Sequence, residues 1–232
     1  MKFVGLSAIH HQHLALNATM VKNNDWMIPA YYTSSGEESA RLQDTVGLMD
    51  EGRVGKYLIQ GDTAEETLKS MVSGYASTKV GKAVAAKTVT DSSKDLLVAR
   101  LSTDEYMLLT SATDLASLDL PSEESTCGHV VDITSTLASV RIIGPNSGDL
   151  LAQVVELELD PRRFADMSFV QTMVAKVHGM ILRRDIGDLL AYQLFFSRDY
   201  GEYLWEALML AGENHGVIPV GLEAMDLLHE GR

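Results

Sequence analysis

The sequence predicts an α+β fold built on largely antiparallel sheets. Three observations lead there. Short β-rich runs come in neighbouring pairs joined by polar turns. Stretches with helical periodicity fall between those pairs, without the regular strand–helix alternation of a parallel sheet. No internal repeat, GxGxxG turn or GxxxxGK[ST] loop organises the chain. With 232 residues and 46% apolar content, there is material for one large or two small cores.

The elements follow in order. The segment from Ser7 to Tyr32 carries His10, His11 and His13. His10 and His13 can share a helix face, but no carboxylate or cysteine stands at a ligand-like spacing, so they are expected to be structural or surface histidines. Ser35 with Glu38 has the spacing of a capping box, and Ala40, Val46 and Leu48 supply the apolar positions that follow. Tyr57 to Gln60 has strand character and ends at Gly61; a helix is expected from Asp62 through Leu68 and Met71 to a stop at Gly74. Thr88-Val89-Thr90 is a short strand candidate before the polar turn Asp91–Lys94. Asp95–Leu101 and Glu105–Thr110, joined by Ser102-Thr103-Asp104, predict a hairpin.

Pro121–Gly128 is polar and reads as a loop. His129–Thr134 and Leu137–Ile143 are strand candidates, and Gly144-Pro145-Asn146-Ser147 opens a helix carrying Leu150, Leu151, Val154 and Val155. Met173–Val177 and Met180–Arg184 predict a β-pair turning at His178-Gly179. Ala191–Phe196 is a strand that breaks at Ser197-Arg198-Asp199. A helix then places Tyr200, Leu204, Leu208 and Ala211 on one face, with Trp205 beside them. Asp199 and Glu202 have capping-box spacing, and Gly216 is a left-handed stop candidate. Pro219-Val220-Gly221-Leu222 leads into a last helix running to Arg232.

Composition narrows the function classes. Thirty-two acidic against 19 basic residues give a net charge of −13, which argues against nucleic acid or an anionic membrane as a partner. A small anionic ligand needs only one local cationic pocket and is not excluded. The single cysteine, Cys127, allows no intramolecular disulfide and no CxxC zinc site. There is no run of 18 apolar residues, and the histidines from His10 come too early for a signal-peptide core. The expectation is a reduced, soluble, cytoplasmic protein.

Three ordered segments carry a family resemblance. The first is His13-Leu14-Ala15-Leu16-Asn17-Ala18-Thr19-Met20 with Trp26, Pro29 and Tyr31-Tyr32, followed by Gly47-Leu48-Met49-Asp50. The second is Asp132-Ile133-Thr134 through Ala138 to Gly144-Pro145-Asn146-Ser147 and Leu150-Leu151. The third is Tyr192-Gln193-Leu194-Phe195, Leu204-Trp205-Glu206-Ala207-Leu208 and Pro219-Val220-Gly221-Leu222. Together they resemble the T-protein of the glycine cleavage system, a family of tetrahydrofolate-dependent aminomethyl and methyl transferases and their non-catalytic relatives.

The resemblance implies a two-lobed folate-binding core, with residues 1–49 plus 126–232 in one lobe and 50–125 inserted as a second. It implies tetrahydrofolate as cofactor, a small methylated or aminomethyl donor, and Asp95 as the acidic residue facing the reactive folate nitrogen. Ser111, Gln193, Val98 and Tyr192 fall at folate-binding positions. Several positions depart from the family pattern. Ser111 stands for an asparagine, Gln193 for a glutamate, Ala85 for a tyrosine and Met225 for an arginine, whereas Asp226 is kept. Asp185–Leu189 lacks the family's tyrosine and glutamate, and Glu51-Gly52-Arg53 replaces its usual small and histidine residues. The family's C-terminal β-barrel has no counterpart here, so the expectation is that either a partner subunit completes the fold or the protein works without that domain. Two functions follow: one-carbon transfer to folate N5, or a non-catalytic subunit of a heteromeric amine oxidase or demethylase complex, like the γ subunit of sarcosine oxidase. A third relative, an iron–sulfur maintenance protein, is not matched, because Cys127 lies in a different context.

Overall fold

A computed structural model describes residues 4–91, 95–110, 129–160 and 162–230, with residues 95 and 230 described through their backbone alone. The chain opens with β1 (Gly5–Leu6), α1 (His10–Ala15), β2 (Thr19–Asn23) and β3 (Trp26–Tyr31). Next come α2 (Ser35–Arg41), β4 (Gly47–Asp50), β5 (Gly55–Gln60), α3 (Ala64–Met71) and β6 (Val72–Ser73). β7 (Ala83–Thr88), β8 (Asp95–Arg100), β9 (Glu105–Thr110) and β10 (His129–Asp132) follow. The remainder comprises β11 (Leu137–Ile143), α4 (Ser147–Ala152), β12 (Phe169–Val174), β13 (Val177–Arg183) and β14 (Ala191–Ser197). It closes with α5 (Gly201–Gly212), β15 (Ile218–Pro219) and α6 (Leu222–Glu230). The α+β class with mostly antiparallel sheets is what the sequence predicts.

The chain forms two compact units. One comprises Met1–Arg53, Ala138–Asp166 and Gln171–Arg232; the other comprises Val54–Leu137 with Met167–Val170. In the first, a six-stranded sheet has the order β12-β13-β14-β11-β4-β15, beside a three-stranded sheet β1-β3-β2. β4 pairs antiparallel with β11 and parallel with β15. Side chains alternate across a strand, so Met49 and Asp50 of β4 point to opposite faces. On the Met49 face, Ile143 and Ala191 pack with Ala224, Met225 and Leu228 of α6. On the Asp50 face, His13 of α1 and Trp205 of α5 meet edge to face at 5.3 Å, and α5 buries Leu204, Trp205 and Leu208.

The second unit has a sheet of order β10-β5-β9-β8-β7-β6, in which every strand pairs antiparallel with its neighbours. The hairpin read from Asp95–Leu101 and Glu105–Thr110 is β8–β9, with Leu97 opposite Leu109. Leu68 and Met71 of α3 close the core over Tyr57, Ile59, Leu96, Val98, Tyr106 and Leu108.

Four local expectations are corrected. The N-cap of α2 is Ser34, whose hydroxyl accepts the Glu37 amide. Glu38 is instead buried, accepting from the amides of Tyr32, Thr33 and Gly221. No box forms at Asp199: a 3-10 turn, Arg198–Tyr200, precedes α5, and Tyr200 caps it without a side-chain bond. β7 starts at Ala83 and ends at Thr88, which is earlier than Thr88–Thr90. The β12–β13 turn lies at Ala175-Lys176, whose φ values of 44° and 68° are consecutive left-handed residues, and His178-Gly179 continues β13. Gly216, at φ 70° and ψ 34°, is the left-handed stop after α5 and its 3-10 extension. The Pro121–Gly128 loop lies outside the described residues.

Candidate functional site

Asp95 is the first residue of β8 and pairs with Lys87 of β7. Val98, three residues on, is fully buried in the core of the same unit. Ser111 lies outside the described residues. Tyr192 and Gln193 are adjacent in β14 and therefore face opposite sides of the first unit's main sheet. Gln193 is 2% exposed and donates its side-chain N–H to the Ser139 hydroxyl at 3.2 Å. Tyr192 is fully buried and stacks on Phe164, with ring centres 6.4 Å apart at 13°. Its hydroxyl has no hydrogen-bond partner among the described residues. Burial pushes the pKa of that hydroxyl up, making it a weaker acid; Arg183 opposes the shift and Asp185 adds to it. Asp95 and Val98 belong to the Val54–Leu137 unit, and Tyr192 and Gln193 to the other.

On the Asp50 face, a fully buried His13 is held from both ring nitrogens. Its Nε2 lies 2.8 Å from Asp50 Oδ2, and its Nδ1 lies 2.8 Å from the Tyr32 hydroxyl. The arrangement that satisfies all three groups has Nε2–H donating to the carboxylate and Nδ1 accepting from Tyr32. Burial disfavours a charged Asp50. Hydrogen bonds from His13, Ser7 and the Gly52 amide outweigh it and hold the carboxyl below its usual range. The Tyr32 hydroxyl is pushed well above its normal value, first by burial and then by the charges of Asp50 and Glu38. This network is enclosed and ties α1 to β4 and β3. Among the described residues, no group of three His, Cys, Asp or Glu side chains could hold a metal ion.

On the Met49 face, the first unit contains a charged cavity of about 270 Å³. The register explains its floor. Arg141 of β11 lies opposite Met49, and the Glu51 amide donates to the Ser139 carbonyl at 2.9 Å, continuing the ladder. Glu51 and Arg141 are thus diagonal neighbours on one face, and Arg141 Nε donates to Glu51 Oε1 at 2.8 Å. Both side chains are under 10% exposed, at 9% and 8%. From α6, Leu222, Met225, Asp226 and His229 line the opposite wall, the i, i+3, i+4, i+7 spacing of one helix face. The loop after β13 adds Arg184, Asp185 and Ile186. Asp185 is held by a two-point bond from Arg183, at 3.1 and 2.7 Å. Sequence reasoning noted Glu51, Arg53, Met225 and Asp226 only as departures or retained positions. The signal it lacked is the partner of Glu51, 90 residues away.

A six-stranded mostly antiparallel sheet backed by α5 and α6, with a second unit interposed in the chain, defines an α+β class shared with a solved enzyme. The glycine cleavage system aminomethyltransferase T of Bartonella henselae superposes with a TM-score of 0.81 at 18% identity, covering 97% of this chain and 62% of that one. Residues 9–230 match the GCVT N-terminal domain, and the chain belongs to that family. It is 31% identical to an aminomethyltransferase of Halothermothrix orenii, over 98% of this chain and 64% of the relative. It is 28% identical to sarcosine oxidase subunit alpha of a Corynebacterium species, over 96% of this chain and 25% of that subunit. The chain thus spans just under two thirds of the aminomethyltransferase it matches. No helix among the described residues is long and apolar enough to cross a membrane.

Proposed function

We propose that this chain is a tetrahydrofolate-binding one-carbon transfer protein that accepts a methyl or aminomethyl group from a small donor onto folate N5. The observation that carries this is the family match over residues 9–230. It spans every segment from which the resemblance draws a site residue. Asp95 takes the role of the carboxylate that stabilises or orients the nitrogen cation formed during transfer, where a fixed negative charge lowers the energy of a developing positive one. Ser111, Gln193, Val98 and Tyr192 take the folate-binding positions. The reading extends to a cytoplasmic setting and to assembly with a partner subunit.

A second reading, a non-catalytic subunit of a heteromeric amine oxidase or demethylase complex, has one observation in its favour. Gln193 is neutral and already bonded to Ser139, so it offers a ligand less than a free carboxylate does.

Calorimetric titration with tetrahydrofolate separates the two readings. The transfer reading expects micromolar or tighter binding, about −8 kcal/mol or better, and weaker binding by Asp95→Ala. A wild type showing neither heat nor thermal stabilisation would remove it in favour of the assembly role.

A further inference from the structure

We infer that Glu38, which does not itself line the cavity, is a positioning residue. It sets the spacing between the α6 wall and the β4–β11 wall, and through that spacing the affinity for folate. This role rests on the folate reading. Met225, Asp226, Asp185 and Ile186 line the cavity, and they are positions at which the resemblance compares this chain with the family's ligand pocket. A run of buried polar contacts joins the two walls. Glu38 projects from α2 and is 2% exposed. Its Oε1 accepts from the amides of Tyr32, at 2.5 Å, and Thr33, at 2.9 Å. Its Oε2 accepts at 2.9 Å from the amide of Gly221, the residue immediately before α6. A carboxylate is thus held at the N-terminal end of α6, where open amides and the helix dipole favour negative charge. Tyr32 carries the connection onward. Its hydroxyl lies 2.8 Å from His13 Nδ1, and His13 Nε2 lies 2.8 Å from Asp50 Oδ2. The other Asp50 oxygen accepts from the Gly52 amide at 2.8 Å. That bond brackets Glu51, whose side chain belongs to the opposite wall.

The two walls are held differently. β4 and β11 are locked by their ladder, and the Val220 amide ties the chain to the Leu48 carbonyl at 2.8 Å just before α6 begins. The direction in which α6 leaves that point is then set by where Glu38 holds Gly221. The helix acts as a lever. At about 1.5 Å of rise per residue, a tilt of about 10° at Gly221 moves His229 by about 2 Å, and His229 lines the cavity. The clamp's chemistry also supplies a selective variant. Glu38→Gln keeps the shape and volume of the side chain, but an amide has one oxygen to accept with and an NH2 group that only donates. That oxygen can serve the Tyr32 and Thr33 amides together, which leaves the NH2 facing the Gly221 N–H. The variant therefore releases α6 while α2 keeps its bonds to the end of β3.

The test compares the wild type, Glu38→Gln and Leu151→Ala, each as the full chain. Leu151 is buried in α4, so its truncation costs stability without touching the clamp. Methionine-methyl NMR reads the α6 wall without ligand, at a temperature where circular dichroism shows all three proteins folded. The Met225 methyl resonance is expected to shift in Glu38→Gln and to stay in place in Leu151→Ala. Tetrahydrofolate, titrated by calorimetry, should bind Glu38→Gln about tenfold more weakly and Leu151→Ala with wild-type affinity. An unmoved Met225 resonance in Glu38→Gln overturns the assignment whatever folate does. Equal loss of affinity in both variants also overturns it, since a purely structural role produces that result, and so does unchanged affinity beside a shifted Met225. A wild type that binds no tetrahydrofolate sinks the folate reading instead, and the Met225 signal then decides by itself whether Glu38 sets the wall.

Discussion

At the scale of single residues, the Glu51–Arg141 pair shows how burial changes what an ion pair does. Its worth lies less in attraction than in avoiding an unpaired charge, because both groups have left water. Arg141→Ala is expected to destabilise the protein by about 3–5 kcal/mol in urea unfolding, by stranding Glu51. The double variant Glu51→Leu with Arg141→Met should recover most of that loss, since an apolar pair of similar volume removes both desolvation costs. Asp50 behaves as a pH-dependent counterpart. Its carboxyl is held below the unfolded value, against its own burial, by His13, Ser7 and Gly52. The stability it contributes is therefore fully present above the unfolded carboxylate value of about 4 and is lost as pH falls through the lower folded value. Asp50→Asn should lower stability at neutral pH and flatten the acid limb of the stability–pH curve; unchanged slopes would show that Asp50 does not drive that limb.

At the scale of elements, two joints have identifiable local causes. The β12–β13 turn places Ala175 and Lys176 at positive φ, the pattern of a type I′ hairpin turn. Side chains with a Cβ are disfavoured there by roughly 1–2 kcal/mol per residue. The turn persists because its backbone is otherwise engaged: the Ala175 amide donates to Val154 O at 2.7 Å, and the Tyr203 hydroxyl donates to Ala175 O at 3.0 Å. Replacing the pair with Asn-Gly keeps those backbone bonds, and should raise stability by about 1 kcal/mol, read as a higher denaturation midpoint. The entry to α6 depends on Gly221. A Cβ there would stand 2.1 Å from the Ala30 carbonyl oxygen, while its amide donates to buried Glu38 at 2.9 Å. Gly221→Ala should therefore displace α6 from β3, with loss of stability and faster amide exchange across residues 222–230.

At the scale of the whole molecule, charge and chain order carry different information. An excess of 13 negative charges raises self-repulsion in the compact state. Added salt at moderate concentration should raise the thermal midpoint by screening it, whereas a midpoint insensitive to salt would mean the charges are already locally balanced. Chain order determines unit membership. Residues up to Arg53 and from Ala138 onward, apart from Met167–Val170, share one unit, so Glu51 meets Arg141 although the chain between them belongs to the other.

Much of this architecture was legible in the sequence, because its causes act between near neighbours. The short β-rich runs Ala191–Phe196 and Leu137–Ile143, the polar turn between Asp95–Leu101 and Glu105–Thr110, and glycine at position 216 each specify a conformation within a few residues. The three ordered motifs then carried the family. What escaped is set by partners far along the chain. Glu38 has the capping-box spacing from Ser35, yet amides at Tyr32, Thr33 and Gly221 claim its carboxylate, so the cap shifts to Ser34. Ala175-Lys176 contains no turn-forming residue and is bent by its tertiary hydrogen bonds. The charged cavity exists only because strand register sets Glu51 diagonal to Arg141 and a helix face closes over them. Sequence alone determined the elements and the family. Tertiary structure decided which charges are buried together, because that depends on register and burial, neither of which has a short-range signature.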